Sequence, residues 1–192
     1  MYPMQLEGDR IYLREVSRTD TEALQRVVGD PQVCETLIFE PMTVEEASNY
    51  IAKWEGKAQE TPRVHYYLAV IRRSDDELLG AGYLGRVGIT DDETEQSGML
   101  GGALRADLWG QGYATECAHV LMKFGFGDLG LRRIWGSCGP ESPSSIRLME
   151  KIGLKYEATL RDHRQAKGVW RDSLVYGMTA TDWATMPTNA RA

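Results

Sequence analysis

Trp109-Gly110-Gln111-Gly112-Tyr113-Ala114-Thr115 is the stretch from which the rest of the chain can be read. It follows a short apolar segment, residues 99–104, and opens a helical pattern over residues 111–126. In that pattern Ala114, Cys117, Ala118, Leu121 and Met122 form one buried stripe. Two glycines let the backbone turn sharply and approach a ligand closely. A helix start offers unpaired N–H groups and the positive end of the helix dipole, so the turn is an anion site that fits a pyrophosphate. Two other phosphate loops fail on the residues. A Walker loop ends in Gly-Lys-Ser/Thr, which is absent here. A dinucleotide fingerprint wants a third small residue where Thr115 stands, and an acidic residue about 20 positions on, where the chain reads Arg132-Arg133.

Working outward, residues 132–137 read as the strand after this helix, closed off by Gly127 and Gly130. Strand, helix, strand is a βαβ unit, which predicts that strands 99–104 and 132–137 run parallel. The glycine pair Gly101-Gly102 suggests a bulge or a close approach. Upstream, Arg10-Ile11-Tyr12-Leu13-Arg14-Glu15-Val16 alternates as a strand. Thr19-Asp20-Thr21-Glu22 and Thr43-Val44-Glu45-Glu46 read as capping boxes that start helices. Ala47, Tyr50, Ile51 and Trp54 put one apolar face on the second helix. Residues 66–71 and 78–84 form an antiparallel pair across a polar turn. Downstream, Ser142 as N-cap, Pro143 at the first position and Gly153 past the end bound a short helix. Residues 156–161 and 169–178 close the chain as a hairpin around Gly168. The expected fold is α/β (α+β): a mixed, mostly antiparallel sheet with helices on both faces. A single domain is expected over residues 1–192, with its core at about 8–183, and the tail from 187 onward frays.

Composition is that of an ordinary globular chain, with 42% hydrophobic and 26% charged residues among 192. A net charge of −6 argues against a nucleic-acid partner, which selects for a basic excess. No signal peptide and no membrane span are visible. Cys34, Cys117 and Cys138 are widely spaced and match no zinc pattern, so no metal is expected and a reduced, cytoplasmic location is.

The 109–115 turn resembles the Arg/Gln-x-x-Gly-x-Gly/Ala motif of the GNAT superfamily of acetyl-CoA-dependent N-acyltransferases, with Gly112 and Ala114 at the small positions. Trp109 departs from Arg/Gln, but Trp-Gly-x-Gly-Tyr-Ala-Thr-Glu is similar to the RimJ/RimL-type ribosomal-protein Ser/Ala N-acetyltransferases. Leu100-Gly101-Gly102-Ala103-Leu104 resembles the family's fourth strand. Ser145-Ile146-Arg147-Leu148-Met149-Glu150-Lys151-Ile152-Gly153-Leu154 resembles its Ser-x-x-x-x-Glu-Lys-x-Gly-Phe ending, and Gly168-Val169-Trp170-Arg171-Asp172 its closing hairpin.

The resemblance implies an enzyme that passes the acetyl group of acetyl-CoA to a primary amine. The parallel pair would splay around the cofactor, and backbone groups of Ala103, Leu104 and Arg105 would pair with pantetheine. Trp109, Gly110, Gln111, Gly112, Tyr113 and Ala114 would hold the pyrophosphate, with Ser142 and Ser145 beside the thioester. Ser145 would donate to the CoA sulfur. It shares a helical stripe with Leu148, Met149 and Ile152 and is the expected catalytic residue. Three departures stand out. Met149 replaces a frequent tyrosine acid, Met99 a frequent glutamate, and Ser142 a frequent asparagine. Glu141, Asp172, Tyr176, His163 or a water chain remain as proton acceptors, and Cys138 reads as structural rather than nucleophilic. Trp54, Tyr66, Tyr83, His163 and Trp170 are candidates to line the acceptor side, and Asp91-Asp92-Glu93-Thr94-Glu95 to steer a cation. The acceptor is a protein N-terminal amine on subgroup likeness. A small-molecule amine and a non-catalytic CoA-binding module are the alternatives, and a homodimer is left open.

Overall fold

The computed structural model describes residues 2–35, 37–86 and 96–187. One eight-stranded sheet runs in the order β1-β2-β3-β4-β5-β6-β8-β7. Its strands are β1 (Gln5–Glu7), β2 (Ile11–Glu15), β3 (His65–Arg72), β4 (Leu78–Gly85), β5 (Ser97–Leu104), β6 (Arg133–Cys138), β7 (Lys155–Ala166) and β8 (Val169–Thr179). Every neighbouring pair is antiparallel except β5 and β6, which are parallel across the βαβ crossover. The expected mixed architecture is the observed one. The 91–95 acidic run and the last five residues lie outside the described residues.

Alternation along the central strands sorts their side chains to two faces. Leu68 and Val70 of β3 join the core under α4 (Tyr113–Gly127), which buries Cys117, Ala118, Leu121 and Met122. Ala69 and Ile71 face the other way, against α1 (Thr21–Val28) and α3 (Val44–Ala58), where Leu24, Val27 and Ile51 are buried. The α3 capping box forms as its sequence requires: Glu46 N donates to Thr43 Oγ1 at 3.2 Å, and Thr43 N to the Glu46 carboxylate at 2.8 Å.

The expected box at Thr19 does not form. A 3-10 turn over residues 18–20 precedes α1, and Asp20 instead accepts from Ser17 N at 2.9 Å and takes the Arg14 guanidinium on both oxygens. The Asp20 carboxylate thus serves both the Ser17 N–H at the start of the turn and the bidentate guanidinium of Arg14 on β2.

Other differences are also local. The β4–β5 register is unbroken through Gly101 and Gly102, so no bulge sits there; the irregularity falls in the β3–β4 pair at Val70/Ile71. Gly102 answers to the second expectation, close approach. At φ +155° an added Cβ would lie 2.6 Å from the Ala81 carbonyl. The closing hairpin is longer than its apolar pattern suggested, joined by Lys167 and Gly168 at φ +52° and +78°. Three short elements carry too little periodicity to be read from sequence: β1, α2 (Pro31–Cys34) and α6 (Ala180–Thr185). The helix α5 (Pro143–Lys151) starts and stops where Pro143 and Gly153 place it.

Candidate active site

The two parallel strands pair only from Ser97↔Arg133 to Met99↔Trp135. Beyond that level β5 stays with β4 to Leu104 and β6 stays with β8 to Cys138, so the sheet splits between them. Arg105 N donates to Leu79 O at 3.0 Å, which turns the peptide groups of Arg105 and, by alternation, Ala103 toward β4. Those of Gly102 and Leu104 therefore face the split. The Leu104 carbonyl there accepts the Trp109 indole N–H at 3.0 Å, which hangs the 109–112 turn on the end of β5. Of the three residues expected to present backbone to a pantetheine, Leu104 faces the gap, and the Arg105 N–H is committed to the sheet. The Arg105 guanidinium bonds Asp107 at 2.7 Å and Glu77.

The turn enters α4 through Gly110 and Gly112, at φ +76° and +87°, a region L side chains avoid. The first intrahelical bond runs from Glu116 N to Gly112 O at 3.1 Å, so the N–H groups of Tyr113, Ala114 and Thr115 precede the helix's own pairing. Arg10, 102 residues before Gly112 in sequence, lies over this end. Its Nε bonds Glu116 at 2.9 Å, its Nη1 bonds Gln111 O at 3.0 Å, and its guanidinium rests 4.7 Å above the Tyr113 ring. Glu116 also accepts from the backbone N–H groups of Arg10 and Ile11. A polar hollow of about 320 Å³ is lined by Arg10, Lys151, Gly112 and Thr115, with Asp9 and Glu116. Arg10 and Lys151 were not singled out from sequence. Neither stands in the 109–115 motif, and only the packing of β2 and α5 beside α4 brings them there.

Across the split, Ser142 is buried and does not cap α5 with its side chain; its Oγ shares a hydrogen bond with Ser145 Oγ at 3.0 Å. Met149 is buried against Gly136 of β6. Ser137 stands two residues beyond the last parallel pair, and its Oγ is buried with no hydrogen-bond partner. The register places it level with Gly101, on the face opposite Gly136 and Met149. An unpaired buried hydroxyl costs about 1–3 kcal/mol, and this one stands beside an open strand edge. Sequence reading passed over Ser137 because a serine inside a strand carries no motif.

The proton-acceptor candidates fare unequally. Glu141 bonds Arg171 at 2.6 Å, and its own backbone N–H together with that guanidinium holds its carboxyl below the usual carboxylate range, which makes it a weak base. Asp172 accepts from Asp162 N, and His163 shares a hydrogen bond with Ser173, both on the closing hairpin. Tyr176 is buried, and that burial raises its pKa. Burial pushes the Cys138 thiol to about 11, so it stays protonated and is no nucleophile at neutral pH.

The face above Gly101 and Gly102 holds an apolar cavity of about 180 Å³ between α1, α3 and β4. Of the aromatic candidates, Trp54 and Tyr83 line it, with Tyr50 and Tyr67. Trp54 stacks on Tyr67 at 4.8 Å, Tyr67 on Tyr83 at 4.5 Å, and His65 Nδ1 shares a 3.0 Å hydrogen bond with the Tyr83 hydroxyl. Tyr66 is not on this side. It points into the α4 core, edge-on to Phe124 at 5.0 Å, because strand alternation sends neighbours to opposite faces. Trp170 is exposed on the hairpin and lines neither hollow.

A split parallel pair, a glycine-led helix start at its mouth and hydroxyls on its far wall define a fold that holds an extended, phosphate-ended ligand in its sheet. Comparison with known proteins gives that class its chemistry. Residues 10–155 match the acetyltransferase (GNAT) domain family, and the chain belongs to it. It is an acetyl-CoA-dependent N-acetyltransferase. The chain is 27% identical over 180 residues to an uncharacterized N-acetyltransferase, p20, of Bacillus licheniformis, covering 93% of this chain and 98% of that one. It shares its fold with a GCN5-related N-acetyltransferase from Brucella melitensis, at TM-score 0.83 and 22% identity over 100% of this chain and 85% of that one. It also shares it with Mycobacterium smegmatis RimJ in complex with CoA-disulfide, at TM-score 0.81 and 20% identity over 99% and 93%. Among the described residues no helix is long and apolar enough to cross a membrane.

Proposed function

We propose that the protein transfers acetyl from acetyl-CoA to a primary amine by direct attack, with the pantetheine arm in the β5–β6 split. The observation that carries this reading is the parting of β5 and β6 after Met99 and Trp135, on the same side as the left-handed entry to α4. The residues fit the group on two counts. The split leaves the backbone of Gly102 and Leu104 facing outward, and Ser137 Oγ lacks a partner there. Residues 109–114, with Arg10 and Lys151, supply N–H groups and two cations for the pyrophosphate. When bound, acetyl-CoA supplies the thioester whose acetyl group is passed on.

The chain's own groups then have distinct tasks. The N–H groups of Gly102 and Leu104 face the split as donors for pantetheine and for the acetyl oxygen; one such donor is worth about 3–4 kcal/mol. Ser142 holds Ser145 by their shared hydrogen bond, and Ser145 donates to the departing sulfur. A thiol near the usual 8.5 leaves readily as thiolate, so the hydroxyl lowers the cost of that charge and solvent returns the proton. A charge-assisted bond of this kind contributes about 1.5–3 kcal/mol. Ser145→Ala is therefore expected to lower kcat by about 10- to 100-fold, read as CoA release under saturating acetyl-CoA. An unchanged kcat would remove Ser145 from the chemistry.

Two acceptors are compatible with this site. A protein N-terminal α-amine, near pKa 8, sheds its proton more easily than an alkylamine near 10.4, and the likeness to RimJ favours it. The apolar cavity above Gly102 favours a small amine. The cofactor half is tested by thermal melting. Acetyl-CoA at 100 times its Kd should stabilise the fold by about 2.7 kcal/mol. No shift at millimolar acetyl-CoA or CoA would dismiss the reading.

A further inference from the structure

We propose that the acceptor is a small primary amine carrying an uncharged aromatic or branched-aliphatic body, and that this body sits in the cavity between α1, α3 and β4. The proposal rests on the acetyl-transfer reading above and specifies its second substrate. Three observations carry it.

The first is chemical. None of the described residues lining the cavity is charged, and the aromatic rings of Phe39, Tyr50, Trp54, Tyr67 and Tyr83 provide much of the wall. A second ammonium, as on a polyamine, would lose its water against these walls, and none of the described lining residues offers it a carboxylate, which makes its burial costly. An aromatic body instead gains ring contacts on several sides.

The second is size. The cavity is about 180 Å³. An apolar protein cavity of about 150 Å³ stays dry and takes a benzene molecule. One ring or a branched chain of similar bulk fits.

The third is placement. Gly102 and Ala103 form the cavity floor on β5, and Gly101 lies beside the Tyr83 ring. A body seated above them would lie against β5, the strand that borders the split. The wall is held from outside the cavity. His65 fixes the Tyr83 hydroxyl at 3.0 Å, and burial keeps the imidazole neutral by pushing its pKa down. Lys167 at the tip of the β7–β8 hairpin donates to Cys34 O at 2.9 Å, tying the hairpin to the end of α2 next to the Leu37–Phe39 side of the cavity.

The experiment compares initial rates of CoA release with 2-phenylethylamine, spermidine and a peptide with a free N-terminal serine, at saturating acetyl-CoA. Acetyl-CoA binding is followed in parallel by thermal melting. The expected result is a kcat/KM for 2-phenylethylamine at least tenfold above the other two. Trp54→Ala should raise its KM by about tenfold, the scale of one lost ring contact with its buried area, while the melting shift with acetyl-CoA is kept. Tyr50→Ala removes a half-exposed ring at the rim and is the milder variant should Trp54→Ala fail to fold; it should move the same KM in the same direction. Faster turnover of spermidine or of the peptide would overturn the proposal and leave the acetyl-transfer reading standing. So would a melting shift with acetyl-CoA but no CoA release with 2-phenylethylamine, or an unchanged KM in both variants. Loss of the melting shift in the unaltered protein would fall on the acetyl-transfer reading itself and take this proposal with it.

Discussion

Gly112→Val should weaken acetyl-CoA binding by at least about 100-fold, equivalent to about 2.7 kcal/mol, while the protein still folds. Two costs combine at this position. Gly112 sits at φ +87°, where a β-branched residue is strained, and a left-handed L residue costs about 1–2 kcal/mol. An added Cβ would also lie 3.2 Å from Arg10 Nη2. The half-exposed Arg10 side chain can give there only by disturbing its bonds to Glu116 and Gln111 O. The φ strain is relieved by a change in the 109–113 backbone. That re-aims the first N–H groups of α4 and moves the Arg10 guanidinium, the two elements proposed to hold the pyrophosphate. Fold stability should fall only by the strain, so melting without ligand separates the two effects. Gly127→Ala is the control on the same helix, since an added Cβ there meets nothing within 4 Å and the residue lies at the far end. Calorimetric titration with acetyl-CoA reads the outcome; an unchanged Kd in Gly112→Val would show that the phosphates bind elsewhere.

Arg63→Ala should destabilise the fold by about 3–5 kcal/mol, the range for stripping one partner from a buried ion pair. The Arg63 and Glu15 side chains are 6% and 11% exposed and meet through two bonds, of 2.6 and 3.0 Å. Arg63 also donates from Nε to His65 O at 2.9 Å and lies 4.5 Å over the Tyr66 ring. Removing it leaves the Glu15 carboxylate buried without its cation and frees the start of β3. Against a total stability of about 5–15 kcal/mol that is a large fraction. Urea unfolding of Arg63→Ala beside the double variant Arg63→Met, Glu15→Leu gives the test. The double variant should recover most of the loss, because it removes both charges and keeps the volume. A loss below about 1 kcal/mol in the single variant would mean that water reaches the pair and screens it. Acetyl transfer should fall too, since Arg63 anchors the backbone of His65, which fixes the Tyr83 ring on the cavity wall.

Much of this was legible along the chain. The glycines at 110 and 112, the Thr43 box, Pro143 and Gly153 act on the few residues beside them, through the sign of φ and a single capping bond. Their consequences were therefore readable without the fold. The 3.6-residue stripe of α4 and the alternation of β3 say which residues are buried, and strand, helix, strand demands a parallel pair. The same reasoning erred at three places. The box expected from Thr19 to Glu22 gave way to a 3-10 turn whose Asp20 takes both Ser17 N and the Arg14 guanidinium, Ser142 turned its hydroxyl to Ser145 instead of capping its helix, and alternation along β3 sent Tyr66 to the face opposite Tyr67 and Tyr83.

The site depends on groups that only the closed chain brings together. Arg10 and Lys151 flank a helix start that lies far from both in sequence. Ser137 acquires its meaning from the point at which β5 leaves β6. The cavity above Gly102 is walled by residues of α1, the 37–42 stretch, α3, β3, β4 and β5. Capping, turn geometry and periodicity are interactions between near neighbours, and so they are written in short stretches of sequence. An ion pair across the sheet, an unpaired hydroxyl or an empty volume depends on where distant segments come to rest, and packing alone decides that.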